Sequence, residues 1–523
     1  MTLHLFSTLL GALFFFPFFA ALCGGLRYQL GWSLPLSLTL GLIVSVFFFF
    51  KQQEKFKLKS FSQVFICLGL FLIFFLRLDN SSLGHLINFG CADAANHLSL
   101  YQKFISTEPQ TYHGFNAAYV AWYNFEQVFR FDRLQALVLV QIMPLFSLSY
   151  LIAYFFRNER AWLFGLLALI VSELVLLPII HYNQVDGYLA HLFSISVIVP
   201  TLLLANNFSI AALFFLIVCC RFSYGLQLPD LLAAFGVYLA IKATNKSDLK
   251  HKLLLFALAA LCLCACAAVI IKLMPVFSAA GSIVSQRLDY AFAAQIAGIA
   301  VLLVLYFGIK SKANSFIINF LITSSALQAM WLLITEESEY YFSKLFVYSS
   351  IALGLILIKA SAALFSFKQP YLVSSWILTL AFVVVAQRPY LESYYERVQP
   401  SGQYRLLSPL LDQKVKEIID EVLDKEQKSF AAYYTSRWAQ FSFFNAFYNR
   451  PFDFERFKNP TQELATDSCI FWSSNSNDIP RLERYSAANS IEWFNKMNAD
   501  KLAKTVKYNS RWAGRQVIRY LCR

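Results

Sequence analysis

Residues 253–271 read LLLFALAALCLCACAAVII, an uncharged run closed by Lys252 on one side and Lys272 on the other. About 20 consecutive apolar residues cross the hydrocarbon core of a bilayer as one helix, so this run reads as a membrane span. Twelve further runs of the same kind surround it, near 5–25, 31–50, 61–76, 134–156, 161–180, 188–205, 208–222, 228–242, 291–309, 315–334, 343–359 and 371–387. The composition agrees: 58% of the 523 residues are hydrophobic and 14% are charged, where a soluble domain carries about a quarter. That excludes a soluble enzyme, a disordered chain, a fibrous repeat and a coiled coil. The expected fold is an all-α polytopic membrane protein of about 13 transmembrane helices. Cys262, Cys264 and Cys266 have metal-like spacing, but no His or carboxylate accompanies them, and they read as small apolar residues of a packed helix.

The net charge of +13 reports orientation. With the N-terminus inside, the short inside loops carry Lys51, Lys55, Lys57 and Lys59; Arg157 and Arg160; Lys242, Lys246, Lys250 and Lys252; Lys310 and Lys312; Lys359 and Lys368. Basic residues concentrate on the cytoplasmic side of membrane proteins, and these clusters agree on one frame. The membrane domain then covers 1–387, with a long loop 77–133 outside, and a C-terminal domain 388–523 lies outside as well. Residues 5–25 read as a retained helix, not a cleaved signal. The expected location is a bacterial inner membrane, with a cytoplasmic N-terminus and a periplasmic or extracellular C-terminus.

From Arg388 onward charges become frequent. Ser408 and Pro409 open a stretch with Leu411, Val415, Ile418, Ile419 and Val422 at helical spacing. Helix is expected over 408–450 and again over 488–520, with loop between 452 and 480, so the domain is expected to be mainly helical. Cys469 and Cys522 are its two cysteines; on the oxidising side of a membrane they pair or remain two free thiols. The basic surface is expected to face lipid phosphates, and no nucleic-acid partner is expected on that side of the membrane.

The polar residues that suggest chemistry lie in the outside loops. GCADAANHLSLYQKF (90–104) places Asp93 and His97 one helical turn apart, with Asn96 beside them. TYHGFNAAYVAWYN (111–124) adds His113, and IIHYNQVDGYLAH (179–191) adds His181, Gln184, Asp186 and His191. Glu173 sits within an apolar run, a costly position for a carboxylate unless it is paired or functional. Arg221 and Arg287 have the planar fork that matches phosphate oxygens, with snorkelling to the interface as the alternative for each. Glu336 and Glu337, next to Glu339, form either a divalent-cation site or a solvated helix end. No P-loop, dinucleotide fingerprint, HExxH or GxSxG element occurs.

This order of elements resembles the polytopic glycosyltransferases of the GT-C superfamily: spans, a large outside loop with an early acidic residue in CADAANHLSLYQKF, many more spans, and an outside C-terminal domain. The chain departs from the family layout in placing three spans before the loop, and in having His113 and no Pro in the turn Tyr112-His113-Gly114-Phe115. The resemblance implies inverting transfer of a sugar from a polyprenyl-phosphate donor to a cell-envelope glycan, lipid or protein acceptor. Asp93 would be the catalytic base. His97, His113, His181, Arg221 and Arg287 would bind donor phosphate or acceptor, and Asn96, Gln184 and Asp186 would line the pocket. No cofactor is required; a divalent cation at Glu336 and Glu337 stays open. Competing classes are a glycan polymerase or ligase of the O-antigen type, and a lipid or solute transporter.

Overall fold

A computed structural model describes residues 2–78, 97, 101, 104–105, 115–131, 133–155, 161–180, 189–278, 288–308, 315–334, 339–364, 370–398, 413–434, 468–473, 504–510 and 514–522. The described chain is mostly helical. Helices α1 (Thr2–Leu30), α2 (Leu34–Gln52) and α3 (Phe61–Leu78) come first, followed by the short α4 (Phe115–Tyr123). Next are α5 (Arg133–Phe155), α6 (Ala161–Val171), α7 (Leu189–Leu204), α8 (Ile210–Ser223) and α9 (Leu228–Thr244). The series ends with α10 (Leu249–Ser278), α11 (Leu288–Gly308), α12 (Phe316–Ile334), α13 (Glu339–Leu364) and α14 (Pro370–Val398). Seven of these segments are long and apolar enough to cross a membrane, and six shorter ones are equally apolar. Each of the thirteen apolar runs falls on one of them, so the protein is a multi-pass helical membrane protein by length and composition.

Two compact units divide the chain: residues 1–80, 109–183 and 190–396 form one, and residues 81–108, 184–189 and 397–523 form the other. In the first unit, helices α5 and α7 are buried almost all round and make its centre. Helices α2 and α10 lie at its rim, with Leu42, Ile43, Phe47 and Phe50, and Leu253, Leu254, Leu261 and Ile271, exposed. Apolar side chains turned outward along a whole helix suit lipid, which is as apolar as leucine. Cys262 and Cys266 are buried toward α9, and the Cys266 thiol donates to the Pro229 carbonyl at 3.3 Å; Cys264 is exposed.

The ends that the charge pattern assigns to the cytoplasm are tied by hydroxyl and aromatic groups. Tyr150 and Tyr154 of α5 donate to the carbonyls of Phe56 and Lys55 at 3.0 and 2.6 Å, and Ser7 of α1 donates to the Leu58 carbonyl at 2.6 Å. Phe14 stacks on Tyr150 with ring centroids 4.2 Å apart. Lys51, Lys55, Lys242 and Lys359 each lie over an aromatic ring, those of Phe47, Phe208, Tyr238 and Phe155. A lysine there covers apolar surface with its stem and gains a cation–π contact at its head. Asp248 caps α10, accepting from the Lys250 backbone N–H at 3.1 Å and pairing with His251, and these two contacts hold its carboxyl below the ordinary range.

The C-terminal region corrects the expectation of a mainly helical domain. Its described helix is α15 (Gln413–Glu426); four strands follow, β1 (Ser429–Tyr434), β2 (Ser468–Ser473), β3 (Lys504–Ser510) and β4 (Gly514–Cys522). They form one sheet in the order β1-β2-β4-β3, with β1 parallel to β2 and the other neighbours antiparallel. Strand β1 replaces expected helix, β2 replaces expected loop, and β3 and β4 replace the expected last helix. Alternation is the reason: Cys469 and Phe471 on β2, Tyr508 on β3, and Ile518 and Tyr520 on β4 are buried two apart. Helix α15 buries Ile418, Ile419 and Val422 and ends in a Schellman turn. There Lys428 N–H bonds the Leu423 carbonyl, and Gln427 takes a positive φ of 53°. Lys504 pairs with Glu426 at 2.6 Å, which holds the glutamate below and the lysine above its ordinary value.

Cys469 and Cys522 occupy directly opposed positions of β2 and β4 and are joined as a disulfide that spans 53 residues. Closing a loop of that length removes roughly 4 kcal/mol of unfolded-chain entropy in the loop-closure account, within a usual range of about 2–4. Protein isolated from cells with thiols blocked at lysis is expected to yield a linked Cys469–Cys522 peptide by mass spectrometry. The pair Cys469→Ala/Cys522→Ala is expected to lower the urea midpoint of the C-terminal strands, read by pulse proteolysis. Blocked free thiols at both positions, or an unchanged midpoint, contradict this.

Candidate functional site at the outer helix ends

Three helices meet closely at the end of the first unit that the charge pattern places outside. Gly24 of α1 lies against the backbone of Asn116 and Ala117 at the start of α4; an added Cβ would stand 2.6–2.8 Å from it. At Gly25 the same Cβ would fall within the ring of Phe222 on α8. Small residues let membrane helices approach backbone to backbone, and here they bring the polar ends of α1 and α8 side by side.

Those ends are cationic. Arg27 lies one turn beyond Gly24 and is buried, and Arg221 is half-buried in the last turn of α8 with Tyr28 of α1 beside it. The Arg221 guanidinium folds back over Gly225, where a Cβ would come within 2.3 Å of Nη1. Among the described residues Arg221 makes no ion pair with a carboxylate. Asn116 is 1% exposed, and among the described residues neither its amide nitrogen nor its carbonyl oxygen has a hydrogen-bond partner; the same holds for Gln227, just past Gly225. Groups buried this way cost free energy until a partner satisfies them.

An aromatic cluster stands in the same unit. His191, near the start of α7, has the Tyr224 ring 5.3 Å away and the Tyr348 ring of α13 at 4.9 Å, edge to face. The Tyr348 hydroxyl is hydrogen-bonded to Ser194 Oγ at 2.5 Å, and Ser194 donates to the His191 carbonyl at 2.6 Å. The histidine is thereby held on two sides. Glu126 and Glu173 both sit in short π-helical segments, Asn124–Val128 after α4 and Ser172–Leu176 after α6. Such segments recur at functional sites.

His97 is buried in the second unit, where Tyr101 and Phe104 are buried as well, their rings stacked 6.4 Å apart. Asp93, Asn96, His113, His181, Gln184, Asp186, Arg287, Glu336 and Glu337 lie outside the described residues. Of the sequence-derived candidates, Glu173, His191 and Arg221 are therefore placed in the first unit and His97 in the second, as is the Cys469–Cys522 pair. Sequence reasoning placed Asn116 in the second polar set of the first outside loop, but did not select Arg27, Tyr224, Gln227, Asp230 or Tyr348. Asp230 carried the signal that singled out Glu173, a carboxylate within an apolar run. The others gave none, because an amide or a tyrosine at a span end is ordinary.

Comparison of the chain with protein-family models, with curated proteins and with solved structures finds no match. The reading of the site rests on its chemistry alone.

The close approach at Gly24 is testable. Gly24→Ala is expected to push α4 from α1 and destabilise the fold by about 1–3 kcal/mol, read as a lower thermal midpoint in size-exclusion chromatography. Gly69→Ala, on α3 where a Cβ meets nothing within 4 Å, is expected to be neutral or slightly stabilising. Equal effects at the two positions contradict the packing described.

Proposed function

We propose that the protein is an inverting glycosyltransferase. It moves a sugar from a polyprenyl-phosphate donor to a cell-envelope glycan, lipid or protein acceptor on the extracytoplasmic side. The observation that carries this reading is the mixture of groups at the outer helix ends. Guanidinium groups suit a phosphate, the aromatic cluster of His191, Tyr224 and Tyr348 suits the apolar face of a sugar ring, and the flanking helices suit a prenyl chain. Few ligands combine those three chemistries. The Cys469–Cys522 disulfide supports an oxidising compartment for the C-terminal region.

In this reading the acceptor hydroxyl attacks the anomeric carbon and Asp93 takes its proton. The bond between that carbon and the phosphate oxygen breaks, and polyprenyl phosphate leaves as an anion. An arginine at the leaving phosphate stabilises the charge as it develops, and Arg221 is the residue assigned that part. No cofactor is required, since the leaving group is already a stable anion.

The test is release of polyprenyl phosphate by the full chain in proteoliposomes, supplied with a panel of polyprenyl-phosphate sugars and an envelope fraction as acceptor. Asp93→Asn is expected to lower kcat by about 10²- to 10⁴-fold with donor KM within a few-fold. Arg221→Gln is expected to cost about 10²-fold in kcat/KM. Full turnover by Asp93→Asn overturns the role of that residue, and no release from any donor by the wild-type chain overturns the reaction class.

A further inference from the structure

We propose that Asp230 is a proton-binding site inside the helix bundle, a carboxyl group that takes up and releases one proton at the end of a buried hydrogen-bond chain. Asp230 lies in the first turn of α9, within the candidate span 225–244, and is 3% exposed. Among the described residues it forms no ion pair. Its carboxyl lies beside its own backbone N–H and the Ser324 hydroxyl of α12.

The chain extends from Ser324 through three helices. Ser324 Oγ is 2.9 Å from Ser349 Oγ of α13, and Gln328 Nε2 donates to both hydroxyls, at 3.1 and 2.9 Å. Gln295 of α11 in turn donates to Gln328 Oε1 at 3.4 Å and to Ser325 Oγ at 3.3 Å. Every amide therefore donates in one direction, toward Asp230, and donors that follow one another polarise the last bond. Gln295 Oε1, at the far end, is fully buried and has no partner among the described residues.

A carboxylate so enclosed has three ways to exist: paired with a cation, holding a metal ion, or exchanging a proton. The first is absent among the described residues. A metal ion needs several ligating side chains, and among the described residues no group of three His, Cys, Asp or Glu gathers. The proton remains, and the two hydroxyls accommodate it. Either serine can be the donor in their shared bond. With Asp230 ionised, Ser349 donates to Ser324 and Ser324 to the carboxylate. With Asp230 protonated, its O–H donates to Ser324 and Ser324 donates to Ser349. The proton load thus sets the direction of the hydroxyl pair that links α9, α12 and α13.

The charged and titratable surroundings are few. Cys266 of α10 faces Asp230, its thiol bonded to the Pro229 carbonyl. The contacts from α12 and α13 are Ser324, Gln328 and Ser349, and Tyr348 beside Ser349 is engaged with Ser194. Lys242 shares α9 but lies roughly 18 Å along it at 1.5 Å per residue. The proposal does not depend on the sugar-transfer reading.

Dicyclohexylcarbodiimide, an apolar reagent for protonated carboxyl groups, tests it on the full chain in liposomes. Peptide mass spectrometry is expected to find label on Asp230, rising as the pH falls and absent in Asp230→Asn. Ser324→Ala removes a bond to the ionised form. It is therefore expected to move half-labelling upward by about one pH unit or more, which a purely structural aspartate would not do. No label on Asp230 at any pH, an extent independent of pH, or a Ser324→Ala profile that superimposes on the wild type overturns the proposal. Protection by sodium ions at fixed pH overturns it in favour of a metal site.

Discussion

Hydrocarbon offers no water to a backbone amide, and the rest of the structure depends on that constraint. Each N–H and C=O within the bilayer is satisfied inside its own segment, which makes helices the form of every span. Lipid also removes the hydrophobic drive for helices to associate. Contact then comes from close approach and from polar groups that find each other. Gly24 and Gly25 supply the first, letting α4 and α8 lie on α1. The second is supplied by the serines and glutamines joining α11, α12 and α13 and by Tyr348 with Ser194.

That economy explains why polar side chains in the bundle are informative. A hydroxyl that donates to the carbonyl four residues back, as those of Ser149 and Thr201 do, is locally satisfied and carries little meaning. Asn116, Gln227, Arg221 and Asp230 are different. They are kept in or near apolar helices without ion-pair partners among the described residues, and the first two lack hydrogen-bond partners as well. Arg221 and the two amides gather at the helix ends that the charge pattern places outside, and Asp230, in the first turn of α9 just past Gln227, closes a buried chain.

The helices were legible in the sequence because twenty apolar residues in a row have few other uses. The lysine clusters were legible because their positions repeat at alternate loops. Helix α15 was legible from Ile418, Ile419 and Val422 at helical spacing, but the strands were not. In β4 the inward Ile518 and Tyr520 alternate with Val517, Arg519 and Leu521, so apolar residues stand on both faces and period two is blurred. In β2 the signal shrinks to Cys469 and Phe471. The site was legible only in part. Arg221 stood out as a cation at a span end, whereas Asn116 and Tyr348 gain meaning from residues about a hundred or more positions away, which no local pattern encodes.

The functional account stands on the side of the membrane to which Asp93 belongs. Cys91, two residues before it, provides a native reporter, since six of the seven described free cysteines are buried, and the seventh, Cys264, lies on an apolar span. A membrane-impermeant maleimide applied to intact cells, with Cys91→Ser as the control, measures that side directly. The account predicts modification of Cys91 without permeabilisation. Modification only after the membrane is opened would put Asp93 in the cytoplasm and contradict it.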